Sequence, residues 1–208
     1  MQSEGFLHKG HLQKENGFLI MASEKMDDLA EAVSSALKDV IEGILKKSEI
    51  NLTQNTEIIQ REVIEYNSRM RIVGMEKFNG PCYVCGLSFY KSPENQQKKV
   101  AQGAFAFYVN VDCVESLLKK FGHRGFDEED DEFILDQLGS LTRSMAEAFA
   151  VELKNIGYDD LTISEPHKFK NNIPEGLNFP YSFYNYQELA FYAWDKKAMV
   201  ANVIMAKP

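Results

Sequence analysis

Two cysteines three residues apart are the first residues in this sequence whose types and spacing could do chemistry. Cys82 and Cys85 make half of a zinc-binding pattern, but a structural zinc site needs four ligands, usually from two such pairs. Cys113, His123 and His167 do not stand at ligand-like spacing from them. The surrounding residues predict a strand, in which positions i and i+3 point to opposite faces. We therefore interpret the cysteines as buried core residues and expect neither a metal nor a cofactor.

Acidic and aromatic clusters are the next groups that could bind a ligand. The acidic run Asp127–Glu132 is interpreted as the solvated start of a helix, because consecutive helical carboxylates point in different directions. The aromatic residues of the C-terminal region could hold a flat ligand, although alternating aromatics more often build a core or a dimer face. They are Phe179, Tyr181, Phe183, Tyr184, Tyr186, Phe191, Tyr192 and Trp194.

The longest uninterrupted helical pattern opens the stretch from Asp131 to Pro166. Its apolar residues recur at intervals of three and four, which places them on one face of a helix. Gly157 follows the last of them, where a left-handed helix cap favours glycine. We expect the polar face to be the one free for function. The apolar face carries Ile134, Leu138, Leu141, Met145, Ala148, Phe149, Leu153 and Ile156, and the polar face carries Asp136, Ser140, Arg143 and Glu147.

Composition restricts the class of protein and its partners. The 208 residues are 44% apolar and carry a net charge of −8, which argues against nucleic acid or an anionic membrane as the main partner. The three cysteines, without a secretory signal pattern, predict a cytoplasmic location. The longest apolar runs are too short to span a bilayer.

The remaining patterns predict one α+β domain over residues 21–208, with residues 1–20 as a tail, a leader or an over-extended start. A first helix is predicted over Glu24–Lys47 with Ser23 as its N-cap, followed by a loop over 48–61. A second helix is predicted from Asp112, in a capping box with Glu115, to Gly122. Predicted strands cover 63–66, 71–75, 82–91, 100–111, 161–163, 181–186, 189–194 and 199–205, and apolar residues on both faces of 100–111 predict a central strand.

With its elements in this order, the chain resembles the CheC/CheX/FliY family of chemotaxis phosphatases, most closely CheX. Three stretches from Met26 onward carry the resemblance: Ala148–Tyr158, which reads Ala-Phe-x-x-x-Leu-x-x-x-Gly-Tyr, then Ile163–Pro166, and the closing hairpin Glu188–Lys207. The resemblance implies a CheX-like domain with an antiparallel-rich sheet packed by long helices. It also implies a homodimer and, as partner, the receiver domain of a CheY-type response regulator.

The resemblance also implies where a phosphatase site would lie. Members of the family present a Glu and, three positions later, an Asn, whose amide orients the water that attacks the phosphoryl group. Counting back from Gly157 places these positions on Ser140 and Arg143, both on the polar helix face. Serine has no charge to pair with a lysine of the regulator, and arginine has donors only. The usual site is therefore expected to be degenerate.

Alternatives remain beside this reading. Glu152 and Asn155 keep the literal Glu-x-x-Asn spacing, but a two-residue pattern occurs about once by chance in a chain of this length. We favour a module that docks a phosphorylated receiver through Asp136, Ser140, Arg143 and Glu147 without turnover. The first alternative is an active, atypical phosphatase, and the second is a ligand- or metal-binding module that uses the aromatic strands or Cys82 and Cys85.

Overall fold

The structure is a computed structural model that describes residues 12–62, 65–66, 69–70, 77–123, 130–171, 176–180 and 185–208. No helix in these ranges is long and apolar enough to cross a membrane. The helices are α1 (Leu12–Lys47), α2 (Pro93–Gln97), α3 (Val111–Lys120) and α4 (Asp131–Asn155). The strands are β1 (Glu57–Glu62), β2 (Glu65–Tyr66), β3 (Arg69–Met70), β4 (Cys82–Tyr90), β5 (Gly103–Asn110), β6 (Thr162–Ile163), β7 (His167–Lys170), β8 (Asn185–Ala193) and β9 (Lys196–Met205).

A seven-stranded sheet forms the centre of the fold. Its path runs β1-β8-β9-β5-β4-β6, and β7 also pairs with β4. All of these pairings are antiparallel. β2 and β3 form a separate two-stranded sheet. The predicted α+β class with an antiparallel-rich sheet is confirmed.

The two long helices pack together on one face of this sheet. Val33, Leu37, Ile41 and Leu45 recur every four residues along α1, and all four are buried against the strands. Full burial of one such side chain stabilises the fold by about 1.5–3 kcal/mol. The matching face of α4 is buried at Ile134, Leu138, Gly139, Thr142, Met145, Ala146, Phe149 and Leu153.

The opposite face of the sheet is also covered, as its sequence predicted. Along β5, the side chains of Phe105 and Phe107 join the helix-side core, while Ala106 and Tyr108 join a second core with Leu177. A Cβ placed on Gly86 of β4 would lie 2.6 Å from Leu177 Cδ1, so a larger residue at this position would require the Leu177 side chain to shift. The prediction that β5 is a central strand covered on both sides is confirmed.

Two predicted helix starts are wrong. The first helix begins at Leu12 and continues through Ser23, so Ser23 is not its N-cap. Residues 12–20 of the predicted leader are therefore helical, while the nature of residues 1–20 as a leader or over-extended start stays a prediction. The N-cap of α3 is Asn110, whose Oδ1 accepts from Asp112 N at 2.9 Å. The asparagine fills the capping role two residues before the predicted Asp112.

Two strands of the seven-stranded sheet were missed because they lie toward its borders. β1 falls in the predicted loop 48–61, and β7 follows Pro166 where no strand was predicted. Both carry many polar residues, and only pairing with β8 and with β4 makes them strands.

The terminal hairpin is confirmed, with Trp194 and Asp195 both at positive φ as in a type I′ turn. Predicted strand residues 63–64, 71–75 and 181–184 and acidic residues 127–129 lie outside the described residues.

Candidate functional site

The outer face of α4 is the candidate functional site, and its placement follows from the ends of the helix. Asp130 caps the N-terminus by accepting from Phe133 N at 3.0 Å. Gly157, at φ +103°, ends the helix with the left-handed cap that its sequence predicted. With the apolar stripe buried, the predicted polar positions face outward: Asp136, Ser140 and Glu147 are exposed and Arg143 is half-buried.

Three ion pairs connect this face of α4 to the segment that follows it. Asp131 pairs with Lys170 at 2.7 Å, and Asp136 pairs with Lys168. Further along the helix Arg143 pairs with Glu165 at 2.8 Å. Because the two segments run in opposite directions, the pairs form an antiparallel ladder. We call the Asp131–Lys170, Asp136–Lys168 and Arg143–Glu165 pairs the α4 ladder.

Arg143 holds two carboxylates at once. Its Nη1 donates to Glu165 Oε1 at 2.8 Å, and its Nε donates to Glu147 Oε1 at 3.1 Å. The hydrogen bond that Arg143 donates to Glu165, followed by the one that it donates to Glu147, raises the pKa of Arg143 above its ordinary value. A permanently charged fork of donors fits an anion and cannot accept a hydrogen bond from an attacking water.

Ser140 does not have the surroundings of a nucleophile. Its Oγ donates to the carbonyl oxygen of Asp136 at 3.0 Å, and its own carbonyl accepts from Ser144 Oγ at 3.1 Å. The hydroxyl proton is thus engaged with the helix backbone instead of with a general base. At the two positions that the resemblance assigns to Glu and Asn, the chain presents a hydroxyl bonded to the helix backbone and a guanidinium bonded to two carboxylates.

Glu152 and Asn155, which match Glu-x-x-Asn literally, lie at the C-terminal end of α4. Asn155 Nδ2 donates to Glu152 Oε2 at 3.0 Å, so the amide is already used by its neighbour. Asn155 is the last residue of α4, and Glu152 lies about 14 Å along the axis from Arg143 at 1.5 Å per residue. The two candidate pairs are therefore separate places on the helix.

A groove between α1 and α4 lies next to the outer face of α4, toward the C-terminal end of that helix. It has a volume of about 540 Å³ and is lined by apolar and charged side chains of both helices. Val151, one helical turn after Glu147, keeps 60% of its surface exposed. The lining residues are Asp39, Val40, Gly43, Ile44, Lys47, Ala148, Val151 and Glu152.

The cysteines of the Cys-x-x-Cys pattern lie on opposite faces of β4. Cys85 belongs to the helix-side core and Cys82 to the second core, as the strand geometry predicted. Burial raises the pKa of the Cys82 thiol to about 11 and that of the Cys85 thiol to about 12, so neither is a ready thiolate ligand. Within the described residues, no group of three or more His, Cys, Asp and Glu is arranged to hold a metal ion.

The second face of the sheet also carries a buried charge cluster that the sequence did not predict. Glu188 pairs with Lys77 and, at 3.3 Å, with Arg61, while Lys77 Nζ also donates to Tyr186 Oη at 3.0 Å. Only 4% of the Glu188 side chain and 9% of the Lys77 side chain are exposed. Burial by itself raises the pKa of Glu188, but Lys77 and Arg61 together bring it below its ordinary value. No local sequence pattern links these three residues.

Comparison with solved structures identifies the fold. FliY of Thermotoga maritima matches with a TM-score of 0.54 and 16% identity, over 88% of this chain and 90% of that chain. A CheX protein of Desulfovibrio desulfuricans matches with a TM-score of 0.51 and 10% identity, over 86% and 99%. CheX in a complex of Borrelia burgdorferi with CheY, beryllium fluoride and magnesium matches with a TM-score of 0.50 and 15% identity, over 83% and 97%. These values confirm the predicted CheX-like fold. No family model and no curated protein matches the sequence.

Proposed function

We propose that this chain docks the phosphorylated receiver domain of a CheY-type response regulator through the outer face of α4 and does not hydrolyse its phosphoryl group. The observation that carries the proposal is the chemistry of Arg143, which sits where the family resemblance places the catalytic Asn. A guanidinium that already holds two carboxylates is suited to bind an anion. It lacks the acceptor that a water-positioning residue needs.

The α1–α4 groove supports docking as the use of this face. Val151 continues the line of Ser140 and Glu147 along the helix and offers an exposed apolar contact beside the charged residues. Stable interfaces combine an apolar or arginine anchor with a polar rim. The CheX–CheY complex among the similar structures makes a receiver the partner to test first.

The test separates binding from turnover. We expect the wild-type protein to bind a CheY-type receiver more tightly when beryllium fluoride is present, and to leave the decay rate of receiver phosphate unchanged. Arg143→Gln and Val151→Lys should each weaken binding at least tenfold. Lys119→Gln removes a positive charge from the exposed side of α3 and serves as the matched control. Faster phosphate loss at catalytic protein ratios would overturn the non-catalytic proposal.

An active, atypical phosphatase is the second candidate. It is supported by the exposed Glu152–Asn155 pair, whose side chains lie beside the groove and face solvent. In that case Asn155→Ala should abolish turnover, whereas Arg143→Ala should not. This pattern of effects would move the working site to the C-terminal end of α4.

Dimerisation is a further part of the proposal. Among the described strands β1 pairs only with β8, and two of its side chains are large, apolar and exposed: Ile58 at 41% and Ile59 at 38%. An open strand edge of this kind can pair with the same edge of a second copy. We expect sedimentation equilibrium to give a dimer that Ile59→Lys dissociates, and a monomeric wild-type protein would contradict this part.

A further inference from the structure

Glu165 occupies the position at Arg143 that an incoming anion would take. Its Oε1 accepts from Arg143 Nη1 at 2.8 Å, although 86% of the Glu165 side chain is exposed. Arg143 itself keeps 38% of its side chain exposed. The guanidinium is therefore accessible from solvent, but its Nη1 donates to Glu165 and its Nε to Glu147, so two of its nitrogens already bind carboxylates of the same chain.

We propose that Arg143 is an anion-binding residue whose resting ligand is Glu165, and that the phosphoryl group of the docked receiver replaces Glu165. This inference rests on the proposed docking function and adds what the site recognises. Glu165 acts as an internal competitor that a doubly charged phosphoryl group displaces more readily than a single carboxylate does. The exchange involves hydrogen bonds and ion pairs only, and no covalent bond is formed or broken.

The backbone around Glu165 is fixed while its side chain is free to leave. Ser164 N donates to Ser88 O at 3.0 Å, and Ser164 Oγ accepts from Ser88 N at 2.9 Å, which ties the preceding residue to β4. Pro166 follows and fixes its own φ angle. Replacement of Glu165 at Arg143 thus needs a rotation of one exposed side chain and no movement of the segment.

The remainder of the α4 ladder is expected to stay closed during this exchange. Asp131 also accepts from Tyr83 Oη at 2.6 Å, and the Lys170 and Tyr83 hydrogen bonds hold the pKa of Asp131 below its ordinary value. Lys168 reaches Asp136 across the surface of α4. The buried face of α4 holds the helix on the sheet, so these two ion pairs can stay formed while the Arg143 end of the ladder opens to the partner.

The relative affinities of Glu165 and the phosphoryl group for Arg143 decide which of them the guanidinium binds. Exposed ion pairs contribute little to stability, so Glu165 should lower the affinity of Arg143 for a partner anion by about two- to fivefold. A phosphoryl group offers several oxygens at higher charge and can be held by two parallel N–H donors of one guanidinium. Glu147 continues to accept a hydrogen bond from Arg143 Nε and orients the guanidinium. The resting contact lowers the affinity of Arg143 for every external anion by the same factor, so only a group that binds the guanidinium strongly, such as a phosphoryl group, replaces Glu165 to a large extent.

The experiment measures how Glu165 affects receiver binding. Dissociation constants of a CheY-type receiver, with and without beryllium fluoride, are compared for wild type, Glu165→Gln and Asp160→Asn. Asp160 is an exposed carboxylate that pairs with Lys154 of α4, so its replacement is the matched charge control. We expect Glu165→Gln to tighten binding two- to fivefold with beryllium fluoride, because the phosphoryl mimic then no longer competes with Glu165 for Arg143. Without beryllium fluoride, Glu165→Gln should change the dissociation constant no more than Asp160→Asn does, and Asp160→Asn should have the smaller effect when beryllium fluoride is present.

A double-mutant cycle links the effect to Arg143. In an Arg143→Gln background, Glu165→Gln should change nothing, because the group it competes for is gone. If wild type binds the receiver but Glu165→Gln matches Asp160→Asn when beryllium fluoride is present, the competitor role of Glu165 is overturned. If Glu165→Gln tightens binding equally in both receiver states, recognition of the phosphoryl group is overturned.

A probe without the receiver keeps this inference distinct from the docking proposal. The Nε–H NMR signal of Arg143 is followed while inorganic phosphate is added to wild type and to Glu165→Gln. We expect the signal to shift at a lower phosphate concentration in the variant. A phosphate response without receiver binding would reject the docking proposal and leave the anion site standing. The absence of a response in both proteins would reject the anion site.

Discussion

Gly139 lies beneath the side chain of Lys168, and a Cβ placed on this glycine would be 2.9 Å from Lys168 Cδ. The glycine is buried in the middle of α4, where the aliphatic part of the lysine crosses the helix to reach Asp136. The middle rung of the α4 ladder thus depends on a missing side chain. This relationship explains a glycine that the helical pattern alone does not require.

The first prediction concerns Gly139→Ala. Replacing glycine in a helix interior stabilises the helix by about 0.5–1 kcal/mol, whereas loss of the exposed Lys168–Asp136 pair costs about 0–1 kcal/mol. Because the flexible lysine stem can move, we expect the free energy of unfolding in urea to change by less than about 1 kcal/mol. A loss above about 2 kcal/mol would show that the stem cannot yield.

The second prediction introduces a Glu and an Asn at the two positions that the resemblance assigns to them. Ser140→Glu with Arg143→Asn supplies a carboxylate and an amide on the exposed face of α4. The amide can accept from water and donate to phosphate at once. We expect the double variant to accelerate phosphate loss from a phosphorylated receiver at least tenfold over wild type. The same pair introduced in an Asn155→Ala background should be equally active, and dependence on Asn155 would contradict the assignment.

The third prediction tests the buried pair on the second face of the sheet. Lys77→Met removes the nearest positive charge and leaves Glu188 with Arg61 alone. Leaving a buried charge without its partner costs about 3–5 kcal/mol, and Arg61 reduces this to about 2–3 kcal/mol. The double variant Lys77→Met with Glu188→Leu should be more stable than Lys77→Met in urea denaturation. A single variant as stable as wild type would show that the pair contributes nothing.

The fourth prediction is the pH dependence that this pair produces. The folded-state pKa of Glu188 lies below its ordinary value of 4.5. The unfolded chain therefore binds the proton more readily, so the stabilisation is present above pH 4.5 and is lost as the pH falls toward the folded-state pKa. We expect the free energy of unfolding of wild type to fall more steeply below pH 4.5 than that of Glu188→Gln. Parallel pH profiles would contradict this.

The fifth prediction compares two buried tyrosines. The hydroxyl of Tyr108 lies near Asn202, but within the described residues neither side chain makes a hydrogen bond of good geometry, whereas Tyr158 Oη donates to the carbonyl oxygen of Ala206 at 2.6 Å. Removing an unpartnered buried hydroxyl should be neutral or stabilising, while removing a partnered one costs about 0.5–1.5 kcal/mol. Tyr108→Phe should therefore be at least as stable as wild type in urea, and Tyr158→Phe less stable. The reverse order would reject the assignment of hydrogen bonds.

The sequence by itself determined the elements whose signals are local. The apolar stripe of α4, the glycine that ends it and the two-sided β5 each follow from the residues within the element. Their periodicity depends on helix and strand geometry alone. The outer face with Ser140 and Arg143 could be placed for the same reason, since burial of one helix face fixes the direction of the other.

Only the tertiary structure decided which residues meet across the chain. β1 and β7 are strands because they pair with β8 and β4, not because their own residues alternate clearly. Arg143 pairs with Glu165, and Lys77 pairs with Glu188, although the partners are far apart in sequence. Hydrogen bonds and ion pairs act over a few ångströms, so their partners follow from the packing of the sheet and helices. The sequence could name Arg143 as a candidate site residue, but the fold alone supplied the carboxylate that it holds.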